Sequence, residues 1–172
     1  LETPEFTVMV TEESKNRRAM YRAEEMRNQL KNSGNEDTVA FLKKCHLQIE
    51  VFTPETDEEI LRCYELVVRT NQLNMSGKKY NQKEFLEVLQ RPKHKNFGFS
   101  CRDDFGKYGI VGFGQYKVEQ QQIVFTEFAM SCRVAGKYVE SALFVKLLKN
   151  ERCIKGIFKI QKTKKNILLR RT

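Results

Sequence analysis

FGFSCRDDFGKYGIVGFGQYKVEQQQIVFTEFAM, residues 97–130, is the stretch that decides the fold. Aromatic and β-branched residues crowd into 97–102, 108–118 and 123–130, and such side chains pack well on a pleated surface. The links between these runs are Asp103-Asp104-Phe105-Gly106 and residues 119–122, short enough to be turns. Three strands joined this way form an antiparallel meander. Downstream come Ser131-Cys132-Arg133, then Gly136, then a helical stripe of Val139, Ala142, Leu143 and Leu147, then a strand over 156–160. Strand, helix and strand in that order make a right-handed crossover, so the last two strands are expected to be parallel. The sequence therefore predicts an α/β (α+β) fold with one mixed sheet, and it places loop 133–138 at a helix N-terminus.

Upstream of the meander the pattern is helical. Thr11-Glu12-Glu13-Ser14 has the capping hydroxyl and early carboxylates of a helix start, and Ala19, Ala23, Met26 and Leu30 follow at helical spacing until Ser33-Gly34. Asn35 is placed to cap a shorter helix through Leu42, and HLQIEVFT (46–53) alternates as a strand. Pro54 breaks it, and Thr56 or Asp57 opens a third helix with Ile60, Cys63, Tyr64 and Val67 on one stripe. A polar stretch covers 71–79, and a fourth helix over 82–90 stops at Pro92. The expected organisation is a helical preface over 1–45 and a single sheet domain over 46–172.

A chain of 172 residues, 40% hydrophobic and 31% charged, can bury a core without disulfide or metal staples. No apolar run reaches the length of a membrane span, and Leu1-Glu2-Thr3-Pro4 lacks the layout of a secretion signal, so a cytoplasmic location without membrane attachment is expected. The five cysteines, Cys45, Cys63, Cys101, Cys132 and Cys153, are odd in number and widely spaced, which argues for reduced thiols rather than a disulfide framework or a zinc site. Only His46 and His94 are available as imidazoles, and no metal is expected. The 31 Lys and Arg against 22 Asp and Glu leave a formal charge of +9, which either favours a polyanionic partner or is only a solvated basic face. Nucleic acid is the weakest such candidate, since no helix-turn-helix, zinc-finger or aromatic single-strand signature is present.

Loop 133–138 is the leading site candidate. Gly136 lets backbone amides approach a ligand, the next helix points its positive end there, and Arg133 and Lys137 add charge, which together suit a pyrophosphate or a phosphopantetheine phosphate. The alternative is an ordinary strand-to-helix turn. Glu127, a charged residue inside an aromatic strand run, is a candidate general base; strand alternation places it on one face with Ile123, Phe125 and Ala129, and an edge or cleft-mouth glutamate bonded to a nearby Lys is the alternative. Cys132 is a candidate nucleophile beside a helix N-terminus, against simple packing. Glu140 reads as a complement to the helix dipole. Asn71, Gln72 and Asn74 can bind polar substrate groups or satisfy nearby backbone. Thr163 and Asn166, among Lys162, Lys164 and Lys165, can hold phosphate or a partner's acidic groups, or form a solvated basic tail.

Four segments in register resemble the carboxy-terminal part of the FkbH family. Thr70-Asn71-Gln72-Leu73-Asn74-Met75-Ser76 resembles its "KTNQFNLT", and Asp104-Phe105-Gly106-Lys107-Tyr108-Gly109-Ile110-Val111-Gly112 resembles "DRFGDNGIVG". Ser131-Cys132-Arg133-Val134-Ala135-Gly136-Lys137-Tyr138-Val139-Glu140 resembles "SCRVLGRGVE", and Thr163-Lys164-Lys165-Asn166 resembles "T-x-KN". The resemblance implies a GNAT-like acyltransferase fold that binds an acyl-CoA or a phosphopantetheine thioester on an acidic acyl carrier protein and assists acyl or glyceryl transfer. It assigns Arg133, Val134, Ala135, Gly136, Lys137, Tyr138 and Asn166 to the cofactor, and Asn71, Gln72, Asn74 and Thr163 to the substrate. It also implies a bacterial protein with a preceding phosphatase-like domain of the haloacid-dehalogenase type; the D-x-D signature of that domain is not in this sequence, so the chain is expected to be a piece of a longer protein. Tyr138 departs from the pattern Q/R-x-x-G-x-G/A, whose last position is small. A degenerate, non-catalytic carrier-docking module is the alternative reading.

Overall fold

The computed structural model describes residues 17–33 and 37–158. Helix α1 spans Arg17–Ser33 and α2 spans Thr38–Lys44. Strand β1, Gln48–Phe52, leads to α3, Asp57–Arg69, and α4, Gln82–Leu89. The meander is β2 Lys95–Asp103, β3 Gly106–Glu119 and β4 Gln122–Met130. A single 3-10 turn at Cys132–Val134 precedes α5, Val139–Asn150, and β5, Lys155–Phe158. The expected helices starting at Thr11 and at Asn35, and the strand end at 160, fall partly outside the described residues.

The local chemistry explains these boundaries. Thr56 Oγ1 accepts from the Glu59 amide while Glu59 reaches back to the Thr56 amide, and Asn81 and Glu84 repeat that reciprocal arrangement at the start of α4. Each pair satisfies amides that the first helical turn leaves without partners.

The strands lie in sequence order β1-β2-β3-β4-β5; the first four are mutually antiparallel, and β5 runs parallel to β4 over Gln122–Phe125. The mixed α/β sheet is thus as the sequence predicts. One face carries Phe97, Phe99, Tyr116, Phe125 and Phe128 against Val139, Leu143 and Leu147 of α5. The other face carries Phe113 and Ala129 against Cys63 and Val67 of α3 and Phe85 of α4. Gly112 and Gly114 sit opposite Phe99 and Phe97 across β2–β3, and a Cβ at either glycine would run into the facing ring.

One register shift matters for the site. Gln115 pairs with Glu127 but Tyr116 pairs with Phe125, so Thr126 is an extra residue in β4. Alternation therefore restarts there. Ile123 and Phe125 belong to the α5 face with Phe128 and Met130, while Ala129 belongs to the α3–α4 face. The expected grouping of Glu127 with Ile123 and Phe125 is corrected by this bulge: Glu127 shares the face of Ala129 and meets residues from the α4 side.

Candidate functional site

Loop 133–138 begins where β4 ends. Ser131 Oγ accepts from Arg133, at 3.4 Å from its amide and 3.2 Å from Nε, which folds the chain into the 3-10 turn. Val134 is buried and anchors the loop, while Ala135 and Gly136 are exposed. Gly136 has φ +72°, and a Cβ there would meet open space. The N-cap of α5 is Tyr138 at φ 55°, ψ 21°, with no side-chain hydrogen bond to the first turn. Two departures toward the left-handed region, at Gly136 and at Tyr138 two residues on, turn the backbone into a helix whose leading amides receive no side-chain cap. The Tyr138 ring is 51% exposed and does not plug the bend.

The charges around the loop are partly committed. Lys137 Nζ lies 2.7 Å from Glu24 of α1 and 5.8 Å from the centre of the Tyr108 ring. Glu140, in the first turn of α5, is buried, and its Oε2 has no hydrogen-bond partner among the described residues. Cys132 is exposed. His46 pairs with Asp104 at 2.8 Å and His94 bonds the Pro92 carbonyl, so the recorded partners of both imidazoles lie away from Cys132.

Glu127 is 5% exposed and lies in a polar cluster between β4 and α4. Tyr80 Oη donates to its Oε1 at 2.5 Å, and Arg91 Nη1 donates to the same oxygen at 3.2 Å. Arg91 also reaches Gln115 Oε1 at 3.2 Å, while Gln115 Nε2 donates to Val88 O and Asn96 Oδ1. Burial first, and then the bond to the Glu127 carboxylate, push the Tyr80 phenol up to about 12. Tyr80 and Arg91 also line an open cavity of about 580 Å³ with Lys78, Lys79, Glu84, Glu87 and Val88. The sequence signal for Tyr80 and Arg91 was thin: each is a single polar residue flanking α4.

Asn74 is 2% exposed and is spent on its own loop. Its Nδ2 donates to the Val67, Thr70 and Lys78 carbonyls, and its Oδ1 accepts from Ser76 Oγ and the Gly77 amide. Asn71 and Gln72 are exposed on the same stretch. The held loop lies along β4: the Met75 amide donates to Phe128 O at 2.8 Å and the Met130 amide donates to Leu73 O at 2.9 Å. Residues 127 and 129 face β3, so this segment occupies the opposite edge of β4, beyond the part paired with β5. Thr163 and Asn166 lie outside the described residues.

Among the described residues there is no group of His, Cys, Asp or Glu that could hold a metal ion, and no helix is long and apolar enough to cross a membrane. No protein-family model and no curated protein matches the chain. Solved structures similar to it include the ribosomal-protein-S18-alanine N-acetyltransferase of Escherichia coli, at 14% identity and TM-score 0.45 over 60% of this chain and 59% of that one. Others are the glucosamine-6-phosphate N-acetyltransferase of Arabidopsis thaliana, at 15% identity and TM-score 0.42 over 66% of this chain and 83% of that one, and an acetyltransferase of Trypanosoma brucei, at 14% identity and TM-score 0.43 over 67% and 84%. The chain spans about three fifths of the length of the Escherichia coli enzyme.

Proposed function

We propose that this chain is an acyltransferase-like domain of the FkbH type, binding a phosphopantetheine thioester on coenzyme A or on an acidic acyl carrier protein and assisting transfer of its acyl or glyceryl group. The observation that carries the reading is the uncapped N-terminus of α5, reached through Gly136 at φ +72° with open space where a side chain would stand. Backbone amides gathered at the positive end of a helix suit a phosphate. Arg133, Gly136 and Lys137 would hold that group, Lys137 once it leaves Glu24. The bound thioester supplies the activated acyl carbon.

Glu127 is the base on this reading. Its two recorded bonds fall on Oε1, from Tyr80 and Arg91, so Oε2 is the oxygen left to take a proton from an acceptor. Arg91 and Tyr80 hold the carboxylate in place and are positioning residues.

Titration calorimetry with acetyl-CoA and with holo acyl carrier protein tests the site. Binding that weakens about tenfold in Gly136→Ala, through strain at a positive φ and crowding of the amides, is expected. Silence from both ligands would discard the proposal.

A second reading has its own observation. The Leu73–Met75 segment bonds to the free edge of β4, where an extended acyl arm would otherwise pair. A domain that keeps this segment in place docks a carrier without accepting its arm. Carrier binding with no coenzyme A binding is the outcome that favours it.

A further inference from the structure

The outward face of α5 has features that neither the core nor the loop uses. Ala142, Val145 and Lys149 are spaced three and four residues apart within α5, which puts them on one stripe, and Tyr138 stands at the N-cap just before it. All four are exposed, with Tyr138 51% and Val145 52% accessible, whereas Val139, Leu143 and Leu147 point into the core. Lys146 flanks the stripe; neither it nor Lys149 pairs with a carboxylate among the described residues. The acidic residue of α5, Glu140, is buried, so the outward face is apolar at its start and cationic toward its end.

Tyr138 adds a second point. It holds a left-handed backbone, φ 55°, that non-glycine residues rarely adopt, yet it neither caps the helix nor buries its ring. A conformation maintained without benefit to the core puts an aromatic side chain in solvent two residues from Gly136. Tyr and flanking cations are what a protein partner with an acidic rim recognises.

We propose that this face is the docking surface for an acidic acyl carrier protein, with an apolar residue of the carrier against Tyr138 and Val145 and its carboxylates against Lys146 and Lys149. The proposal rests on the reading of the Gly136 loop as a phosphate site and adds where the protein part of the ligand sits. A phosphate at the start of α5 leaves its carrier beside the stripe, which runs about 10 Å along the helix from Ala142 to Lys149, at 1.5 Å per residue. The net charge of +9 gives the encounter the right sign.

The test is calorimetric titration of the full chain with holo acyl carrier protein and, separately, with coenzyme A. The wild type is compared with Lys146→Glu/Lys149→Glu and with Val145→Glu, all substitutions at exposed positions. Carrier affinity is expected to fall at least tenfold in each variant, with coenzyme A affinity within about twofold of wild type. Carrier affinity unchanged in both variants overturns the docking face and leaves the Gly136 site standing. Coenzyme A binding without carrier binding in the wild type overturns the docking face alone, and silence from both ligands sinks the face together with the site it depends on.

Discussion

Tyr138 occupies the position where the resembled motif has a small residue, and its backbone explains that preference. At φ 55° and ψ 21° the Cβ crowds the following carbonyl, a cost of roughly 1–2 kcal/mol that glycine escapes. Glycine gives part of this back through the larger freedom of the unfolded chain. Tyr138→Gly should therefore raise stability by about 0.5–1 kcal/mol in urea unfolding, since the exposed ring contributes little packing. A loss of stability would mean that the ring is held by contacts the exposed side chain does not suggest. Tyr80 gives a prediction in pH. Its folded pKa stands near 12 against an ordinary 10, because burial and the Glu127 carboxylate both disfavour the phenolate. A raised acid pKa means stability that is whole below pH 10 and lost as pH rises through the folded value. The stability difference between wild type and Tyr80→Phe should accordingly be flat up to about pH 9 and move against the wild type between pH 10 and 12. A difference that stays constant through that window would rule out the buried phenol–carboxylate bond.

The element that matters most is β4, and it was only half legible. Its strand character was plain from Ile123, Val124, Phe125, Phe128 and Met130, and the turns before and after β3 were plain from Asp103-Asp104-Phe105-Gly106 and residues 119–122. The capped start of α3 and the stripe Ile60, Cys63, Tyr64 and Val67 were legible for the same reason: local chemistry writes them. The bulge at Thr126 was not, because a run of alternating and continuous apolar residues fits a strand with or without an extra residue, and only the pairing of Gln115 with Glu127 reveals it. Misreading it put Glu127 among Ile123 and Phe125 instead of beside Tyr80 and Arg91. Partners far apart in sequence, 47 residues for Tyr80 and Glu127, leave no periodic trace. The bulge is held by Thr126 Oγ1, which donates within 3.2 Å of Gln115 O and 3.0 Å of its Oε1. Thr126→Val should cost about 1 kcal/mol, the scale of one net hydrogen bond. Deleting Thr126 makes Phe125 and Glu127 neighbours on opposite faces, the directions they already hold, so a regular ladder keeps both and the cost should stay on the scale of the lost hydroxyl bonds, about 1–2 kcal/mol. Denaturant unfolding of the two variants checks this, and a deletion that costs several kcal/mol more than Thr126→Val would show that the bulge does more than seat its hydroxyl.

At the scale of the whole molecule the open matter is whether α1 is a preface or a wall, since the sequence suggested a division near residue 45. Arg27 is 5% exposed and grips Asp103 at both oxygens, with Nε 2.5 Å from Oδ2 and Nη2 2.7 Å from Oδ1. Its guanidinium lies 4.1 Å from the centre of the Tyr108 ring, and Glu24 bonds both Arg27 and Lys137. Asp103 in turn accepts from Tyr108 Oη and from the Phe105 and Gly106 amides, so α1, the β2–β3 turn and the Gly136 loop meet in one part-buried polar cluster around the buried Arg27–Asp103 pair. We infer that α1 folds with the sheet and shapes the Gly136 loop through Glu24. A charge buried this far is costly when its partner is removed, so Arg27→Ala should destabilise the chain by roughly 3 kcal/mol. Burial alone would raise the Asp103 carboxyl, but the Arg27 guanidinium and then the Tyr108 hydroxyl outweigh it and hold the group below its ordinary 3.8. A depressed acid pKa gives stability that is present above the unfolded value and lost as pH falls past it, so the gap between wild type and Asp103→Asn should narrow below about pH 4. The same contact predicts that a chain cut to 46–172 loses stability beyond that of Arg27→Ala and binds coenzyme A differently from the full chain, because Lys137 then has no Glu24. If the shortened chain unfolds at the same denaturant concentration as the full one, α1 is a separable arm and its ion pairs contribute nothing to the sheet.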